Sequence, residues 1–262
     1  MTQNCSIPPI LLTNTACFFD VDGTLAKIKM RPEWVMIPKD IKQALCTLSV
    51  ITNGALALIS GRPIVELDNL SAPLCGPVAG IHGAERRDAQ GKLHYVILPM
   101  NIKTVLRQEL KKSVSVFSGC HMEDKGEAFA LHYRQGKNYH KQMLAIAEEQ
   151  VKRYPELALQ LGKYVVELKP ASVNKGVAIS NFMQETPFIG RIPLFIGDDL
   201  TDEAGFKEIN RLQGITIKVG PGNTVARYHL NDVEHVHKWI LSIAKQHKKH
   251  FIKTKHSVLE VV

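Results

Sequence analysis

The stretch Ala16-Cys17-Phe18-Phe19-Asp20-Val21-Asp22-Gly23-Thr24 decides the fold. Its apolar half shows no polar alternation and stops abruptly at an acid, as a parallel strand buried on both faces does where it opens into a loop. Two acids at i and i+2 on the extended stretch leaving that strand project toward one point, and Gly23 permits the sharp turn that exposes them. A turn with both acids facing water is the plain alternative. A calcium loop is excluded, because it needs glycine at its sixth position and a bidentate acid at its twelfth. Here glycine is fourth and the twelfth residue is Arg31.

Working outward, residues 38–50 carry helical spacing (Ile41, Leu45, Leu48), and Ala55–Ile59 reads as a second strand that ends in Ser60-Gly61-Arg62-Pro63. A helix over about 63–70, a strand over 77–81 ending in Gly80-Ile81-His82-Gly83, and a hairpin around Asp88–Gly91 follow. Between about 98 and 170 the pattern changes to a helix near 101–114, strand-like Ala128–Tyr133, a helix near 138–153 and strands near 157–160 and 164–168. Strand and helix alternate again from Asn174, through the strand 193–196, a helix to about 211, the strand 214–219 and a helix near 233–247. The expected fold is α/β: a Rossmann-like parallel-sheet core from residues 1–98 and 171–262, interrupted by a smaller α+β domain at 99–170, with Pro99 and Pro170 as hinge marks or plain turns.

Composition bounds the function. The chain has 262 residues, 45% apolar and 22% charged, with a formal charge of +8. That excludes a disordered chain, and no fixed repeat indicates a solenoid or coiled coil. Half of the surplus charge lies in the last eighteen residues, where 245–256 hold five lysines. It reads as a solvated helix end, so no nucleic-acid partner is expected. Cys5, Cys17, Cys46, Cys75 and Cys120 are odd in number and scattered, which argues against a disulfide framework and structural zinc. No membrane span or leader pattern is evident, and a soluble, cytoplasmic protein is expected.

Three further clusters sit at the ends of core strands or the start of a helix, the rim where open parallel sheets bind ligands. Ser60-Gly61-Arg62 offers a hydroxyl and backbone N–H groups to a phosphate oxygen, although Ser-Gly is also ordinary turn chemistry. Lys175 opens a helix, where a cation opposes the dipole unless an anion lies nearby; the alternative is an exposed lysine beside an Asn174 cap. Gly197-Asp198-Asp199-Leu200-Thr201-Asp202-Glu203 holds four acids in six residues. That is more than capping needs, and a hard divalent cation such as Mg²⁺ would relieve their repulsion.

Together these clusters describe phosphoryl transfer, and their order and spacing resemble the haloacid dehalogenase superfamily of phosphatases. Within it, F-F-D-V-D-G-T-L-A, A-L-I-S-G-R, G-I-H-G-A-E-R-R, E-D-K-G-E-A-F-A-L-H-Y-R, V-V-E-L-K-P, N-K-G and G-D-D-L-T-D-E together resemble the bacterial trehalose-6-phosphate phosphatases, from about residue 16 to about 220. The resemblance implies a haloacid-dehalogenase core with an inserted cap that chooses the substrate, and hydrolysis of trehalose 6-phosphate to trehalose and phosphate. It implies Asp20 as nucleophile, Asp22 as proton donor and then base, and Ser60, Gly61, Arg62 and Lys175 on the phosphate. Mg²⁺ would be held by Asp20, the backbone carbonyl of Asp22 and Asp198 or the adjacent Asp199, with Asp202 behind them; which of Asp198 and Asp199 is the direct ligand stays open.

The family's sugar-recognising positions fall on Glu123, Lys125 and Glu167, with Arg134 and His132 beside them. Without the resemblance, Glu123-Asp124-Lys125 reads equally well as an exposed edge. His82, Glu85 and Arg86 reach either the phosphate side or the cap hinge, while Trp34 and Trp239 read as packing residues. A related capped phosphatase or phosphomutase for another sugar phosphate is the alternative enzyme, and a binding module without chemistry is a third reading. A monomer is expected.

Overall fold

A computed structural model describes residues 12–29 and 31–259, without side chains beyond residue 246. Cys5 and the side chains of most of the basic segment therefore lie outside the described residues. In chain order the first segment comprises β1 (Thr15–Phe19), α1 (Lys39–Ile51), β2 (Leu56–Ile59), α2 (Ile64–Ser71), β3 (Val78–Gly80), β4 (Glu85–Arg87) and β5 (Leu93–Tyr95). The middle segment adds α3 (Met100–Val114), β6 (His121–Asp124), β7 (Phe129–His132), α4 (His140–Arg153), β8 (Leu157–Gly162) and β9 (Val165–Pro170). The last comprises α5 (Lys175–Met183), β10 (Ile192–Gly197), α6 (Glu203–Arg211), β11 (Ile215–Val219), β12 (Tyr228–Leu230) and α7 (Val233–Leu259).

The first and last segments form one eight-stranded sheet in the order β12-β11-β10-β1-β2-β3-β4-β5. All pairs are parallel except β3–β4 and β4–β5. β1 is buried throughout, and its residues alternate between two cores. Cys17 and Phe19 pack with Ile41, Leu45 and Leu48 of α1 and with Val236 and Ile240 of α7. Ala16 and Phe18 pack with Ile179 and Phe182 of α5 and Phe206 of α6. Burial on both faces explains the unbroken apolar run, and truncating Phe18 to alanine would cost about 3–5 kcal/mol.

The strand order proceeds outward on both sides of the β1–β10 pair, so this pair marks the switch point of the sheet. Phe19 pairs with Ile196 and Leu58, and the ends of β1, β10 and β2 therefore emerge side by side. Asp20, Asp198 and Ser60 follow from that register.

The middle segment makes a separate antiparallel sheet, β6-β7-β9-β8. One face packs on α3 and α4 through Phe129, Leu131, Val166, Leu168, Leu106 and Met143. Leu98, at the end of the first segment, joins this cluster. On the alternate positions Glu123 pairs with Ala130, Ala130 with Glu167 and Glu167 with Gln160, giving one cross-strand row.

Three elements depart from the sequence reading. β6 and β12 are strands where none is expected, because His-Met-Glu-Asp and Tyr-His-Leu are too short and too polar to show a period. α7 runs to Leu259 rather than ending near 247, since no proline or glycine stops it.

Candidate active site

The end of β1 delivers Asp20 into the interior, 4% exposed. Its Oδ1 accepts a hydrogen bond from Lys175 Nζ at 2.7 Å, and the same ammonium donates to Asp202 Oδ1 at 2.6 Å. Lys175 starts α5 with Asn174 as its cap, so the anions that offset its unfavourable place in the helix dipole are two carboxylates of the protein. Asp202, fully buried, uses Oδ2 to accept the backbone N–H groups of Asp198 and Asp199, both at 2.9 Å. Asp20 Oδ2 is buried and has no hydrogen-bond partner among the described residues.

One oxygen from each of Asp20, Asp198 and Asp202 lies within 4.8 Å of the others. Gly23 is required here twice over. Its φ is +91°, and a Cβ on it would stand 2.0 Å from Asp198 Oδ2. Lys175 is the cation that pairs with these carboxylates, Lys218 reaching only the backbone carbonyl of Asp198, and the crowding appears in their protonation. Burial, then repulsion from Asp202, pushes Asp198 up to about 7. Burial likewise raises Asp20 well above the usual carboxylate range, while Lys175 is held charged because Asp20 and Asp202 outweigh its burial. Oxygen donors crowded around an unpartnered oxygen fit a hard divalent cation.

Asp22 is half-buried and its carboxylate is gripped by Arg62, from Nε to Oδ2 at 2.6 Å and from Nη2 to Oδ1 at 2.8 Å. Arg62 Nη1 donates to Glu66 at 3.1 Å. The guanidinium expected at a phosphate is thus engaged by two carboxylates, one on the Asp20-x-Asp22 turn and one on α2. Ser60 is 2% exposed, and its Oγ accepts the backbone N–H of Arg62 at 3.2 Å, folding the loop over. Asp199 accepts from the N–H of Leu200 and forms a reciprocal cap with Asp202.

The row on the small sheet faces this rim across a cleft of about 270 Å³ that both sheets line. Glu123 accepts from His132 Nε2 at 2.7 Å, and this bond, with Lys125 nearby, outweighs burial and lowers the carboxyl below its ordinary range. Glu167 is 5% exposed, and its two oxygens accept from His82 Nε2 and Lys125 Nζ, each at 2.5 Å. Burial would raise Glu167, but Lys125 and His82 overcome it and hold the carboxyl far below its usual range. Lys125 also donates to the carbonyl of Gly61 at 3.1 Å. Arg134 lines the outer cleft, lying over the Tyr164 ring and donating to the carbonyl of Lys163 at 3.3 Å.

A trehalose-phosphatase family model matches residues 18–234. The chain is 47% identical to trehalose-6-phosphate phosphatase of Escherichia coli (strain K12) over 251 residues, 95% of this chain and 94% of that protein. The chain belongs to the trehalose-phosphatase family. Members of that family are phosphoric monoester hydrolases. A solved trehalose-6-phosphate phosphatase related protein superposes with a TM-score of 0.75 at 27% identity, over 89% of this chain and 99% of its own. A haloacid dehalogenase-like hydrolase from Bacteroides thetaiotaomicron shares the fold at a TM-score of 0.63 and 18% identity, covering 87% and 98% of the two chains.

In this trehalose-phosphatase chain, Asp20, Asp22, Ser60, Gly61, Arg62, Lys175, Asp198 and Asp199 all line the cleft, and so do His82, Glu123, Lys125, His132, Arg134 and Glu167. Asp202 sits behind Lys175 with no exposure. Of the residues grouped with His82 in the sequence reading, Glu85 accepts the N–H of Ile64 at 2.9 Å and Arg86 pairs with Glu185 at 2.7 Å. Both are structural ties of the core. Trp239 packs against the core, whereas Trp34 is exposed under Arg31. The sequence reading missed Glu66, Gln160 and His121, which also line the cleft. Gln160 and His121 carry a signal in retrospect, the period of two that follows from Glu167 and Glu123 once the strands are paired. Glu66, four residues beyond Arg62 on α2, is its helical neighbour.

Proposed function

We propose that this chain hydrolyses trehalose 6-phosphate to trehalose and inorganic phosphate, in trehalose biosynthesis, with Mg²⁺ as its metal. The observation that carries the reading is Asp20: one oxygen is fixed by Lys175, and the other is buried without a partner where Asp198 converges, at the floor of the cleft.

Asp20, Asp198 and the backbone carbonyl of Asp22 would hold Mg²⁺, with Asp202 orienting the loop through the Asp198 and Asp199 N–H groups. When bound, the ion neutralises charge on the carboxylates and phosphate. Asp20 forms the bond to phosphorus as the bond to the sugar oxygen breaks, and Asp22, released from Arg62 and carrying a proton taken from solvent, gives that proton to the departing alkoxide. Asp22 then takes a proton from the water that attacks the aspartyl phosphate, releasing phosphate and restoring Asp20. Lys175 and Ser60 hold phosphate oxygens. Arg62 we assign to parking the Asp22 carboxylate, which it grips through Nε and Nη2 while Nη1 reaches Glu66.

Residues 99–170 act as the cap. Glu123, Lys125 and Glu167 present acceptors and a donor to sugar hydroxyls, which both donate and accept. We take the chain to act as a monomer. Among the described residues no helix is long and apolar enough to cross a membrane.

The test is phosphate release from trehalose 6-phosphate beside glucose 6-phosphate and sucrose 6-phosphate, with and without Mg²⁺. The expected result is strong preference for the trehalose ester and dependence on the ion. Equal turnover of all three esters would overturn the substrate, and activity unchanged by a chelator would overturn the metal.

A further inference from the structure

His82 is tied to both sheets. Its backbone N–H donates to the carbonyl of Ser60 at 2.9 Å, and the N–H of Ile81 donates to the carbonyl of Arg62 at 3.0 Å. Ile81 and His82 both adopt left-handed conformations, with φ of 47° and 55°, which non-glycine residues take only where the surroundings enforce it. The consequence is a side chain laid against Gly61: a Cβ at Gly61 would stand 2.8 Å from the imidazole. At its far end Nε2 meets Glu167. His82 is 5% exposed, and Nδ1 is buried without a partner among the described residues. Nε2 faces a carboxylate and therefore carries the proton.

Glu167 belongs to β9 and Lys125 follows β6, both of the small sheet, whereas His82 and Gly61 belong to the large one. Two hydrogen bonds thus cross the cleft at its base, His82 to Glu167 and Lys125 to the Gly61 carbonyl. Both end on the Ser60-Gly61-Arg62 loop or on the residue bonded to it. A carboxylate held at both oxygens cannot rotate, so the direction in which Glu167 offers its remaining lone pairs is set by the phosphate-side loop.

We propose that His82 is a positioning residue for sugar recognition, holding Glu167 in register with the phosphate loop rather than touching the reacting atoms. This deepens the proposed function and rests on it for the identity of the sugar. It accounts for a backbone strained at two successive residues and for a glycine at position 61, where any side chain would displace the imidazole.

The experiment compares His82→Ala, His82→Gln, Glu167→Ala and the double variant His82→Ala/Glu167→Ala on trehalose 6-phosphate and on p-nitrophenyl phosphate, which has no sugar. His82→Ala is expected to lower kcat/KM on trehalose 6-phosphate about 100-fold, the scale of a misplaced recognition group, and on p-nitrophenyl phosphate at least about tenfold less. His82→Gln, whose amide can donate to Glu167, is expected to recover about tenfold, and the double variant to lose no more than Glu167→Ala alone. Equal losses on both esters, an additive double variant, or glutamine no better than alanine would overturn the proposal. A substrate-free reading separates it from the substrate assignment: the His82 Nε2–H proton should be visible by NMR, slow to exchange, and lost in Glu167→Ala. Its absence from the wild-type protein overturns the inference whatever sugar is cleaved. Its presence in a protein that cleaves only p-nitrophenyl phosphate overturns the trehalose assignment instead.

Discussion

The rim of the large sheet and the inward face of the small sheet both gather acids around a lysine, yet their electrostatics differ. At the rim, Asp20, Asp198 and Asp202 surround Lys175, and an oxygen of Asp20 is left without a partner. On the small sheet, Glu123 and Glu167 have His132, His82 and Lys125, and both carboxyls are held below their ordinary range. The rim holds negative charge in excess of what the chain neutralises, which suits it to a cation and a reacting phosphate. The facing row is satisfied within the protein and offers fixed donors and acceptors, which suits it to recognition. Unbalanced charge near a buried nucleophile favours chemistry, whereas balanced charge near the cleft wall favours selectivity.

The sharpest way to break this comparison is Asp20→Asn. It should lower phosphate release by more than about 10⁴-fold on trehalose 6-phosphate and p-nitrophenyl phosphate alike, because it removes the proposed nucleophile. Retained turnover would move the nucleophile elsewhere. Next in size, Lys175→Met leaves two buried carboxylates without their cation, and removing one partner of a buried pair costs about 3–5 kcal/mol. Both esters should lose at least about 100-fold, and the melting temperature should fall by roughly 10 °C by calorimetry. An unchanged melting temperature would show that the cluster is not held by this lysine.

Glu123→Ala tests the other region. Losing hydrogen bonds from a charged acceptor should reduce kcat/KM on trehalose 6-phosphate by about 10- to 100-fold, with a much smaller loss on p-nitrophenyl phosphate. A loss of equal size on both would place Glu123 in the chemistry. The smallest effect concerns pH. Asp198 has a folded pKa of about 7, above its unfolded value, so the folded state binds more protons between the two and stability falls as pH rises through that window. In the presence of a chelator, the melting temperature should drop by a few degrees from about pH 5 to about pH 8, and Mg²⁺ should restore more at the higher pH. A metal effect independent of pH would indicate that Asp198 is ionised without the ion.

The alternation of elements was legible except at the short polar strands β6 and β12 and the end of α7, because local apolar periods report local structure. The two-core burial of Phe18 and Phe19 followed from the unbroken run before Asp20. Asp198 and Lys175 could be singled out because acids crowded in a loop and a cation opening a helix are locally unfavourable. The engagement of Arg62 was not legible, since Asp22 and Arg62 are forty positions apart and only the β1–β2 register joins them. Nor was the division of labour between Asp199 and Asp202, which depends on which side chain turns back to cap the loop.

The sequence by itself determined the kind of fold and the rim on which the acids stand. These depend on short-range patterns: buried apolar runs, helical spacing and turn residues that any chain must obey locally. Tertiary structure alone decided the partners. Lys175 reaches Asp20 across 155 positions and His82 reaches Glu167 across 85. Those contacts arise from strand order and from the docking of one sheet on another, and burial then gives each charged contact the strength that solvent would have screened away.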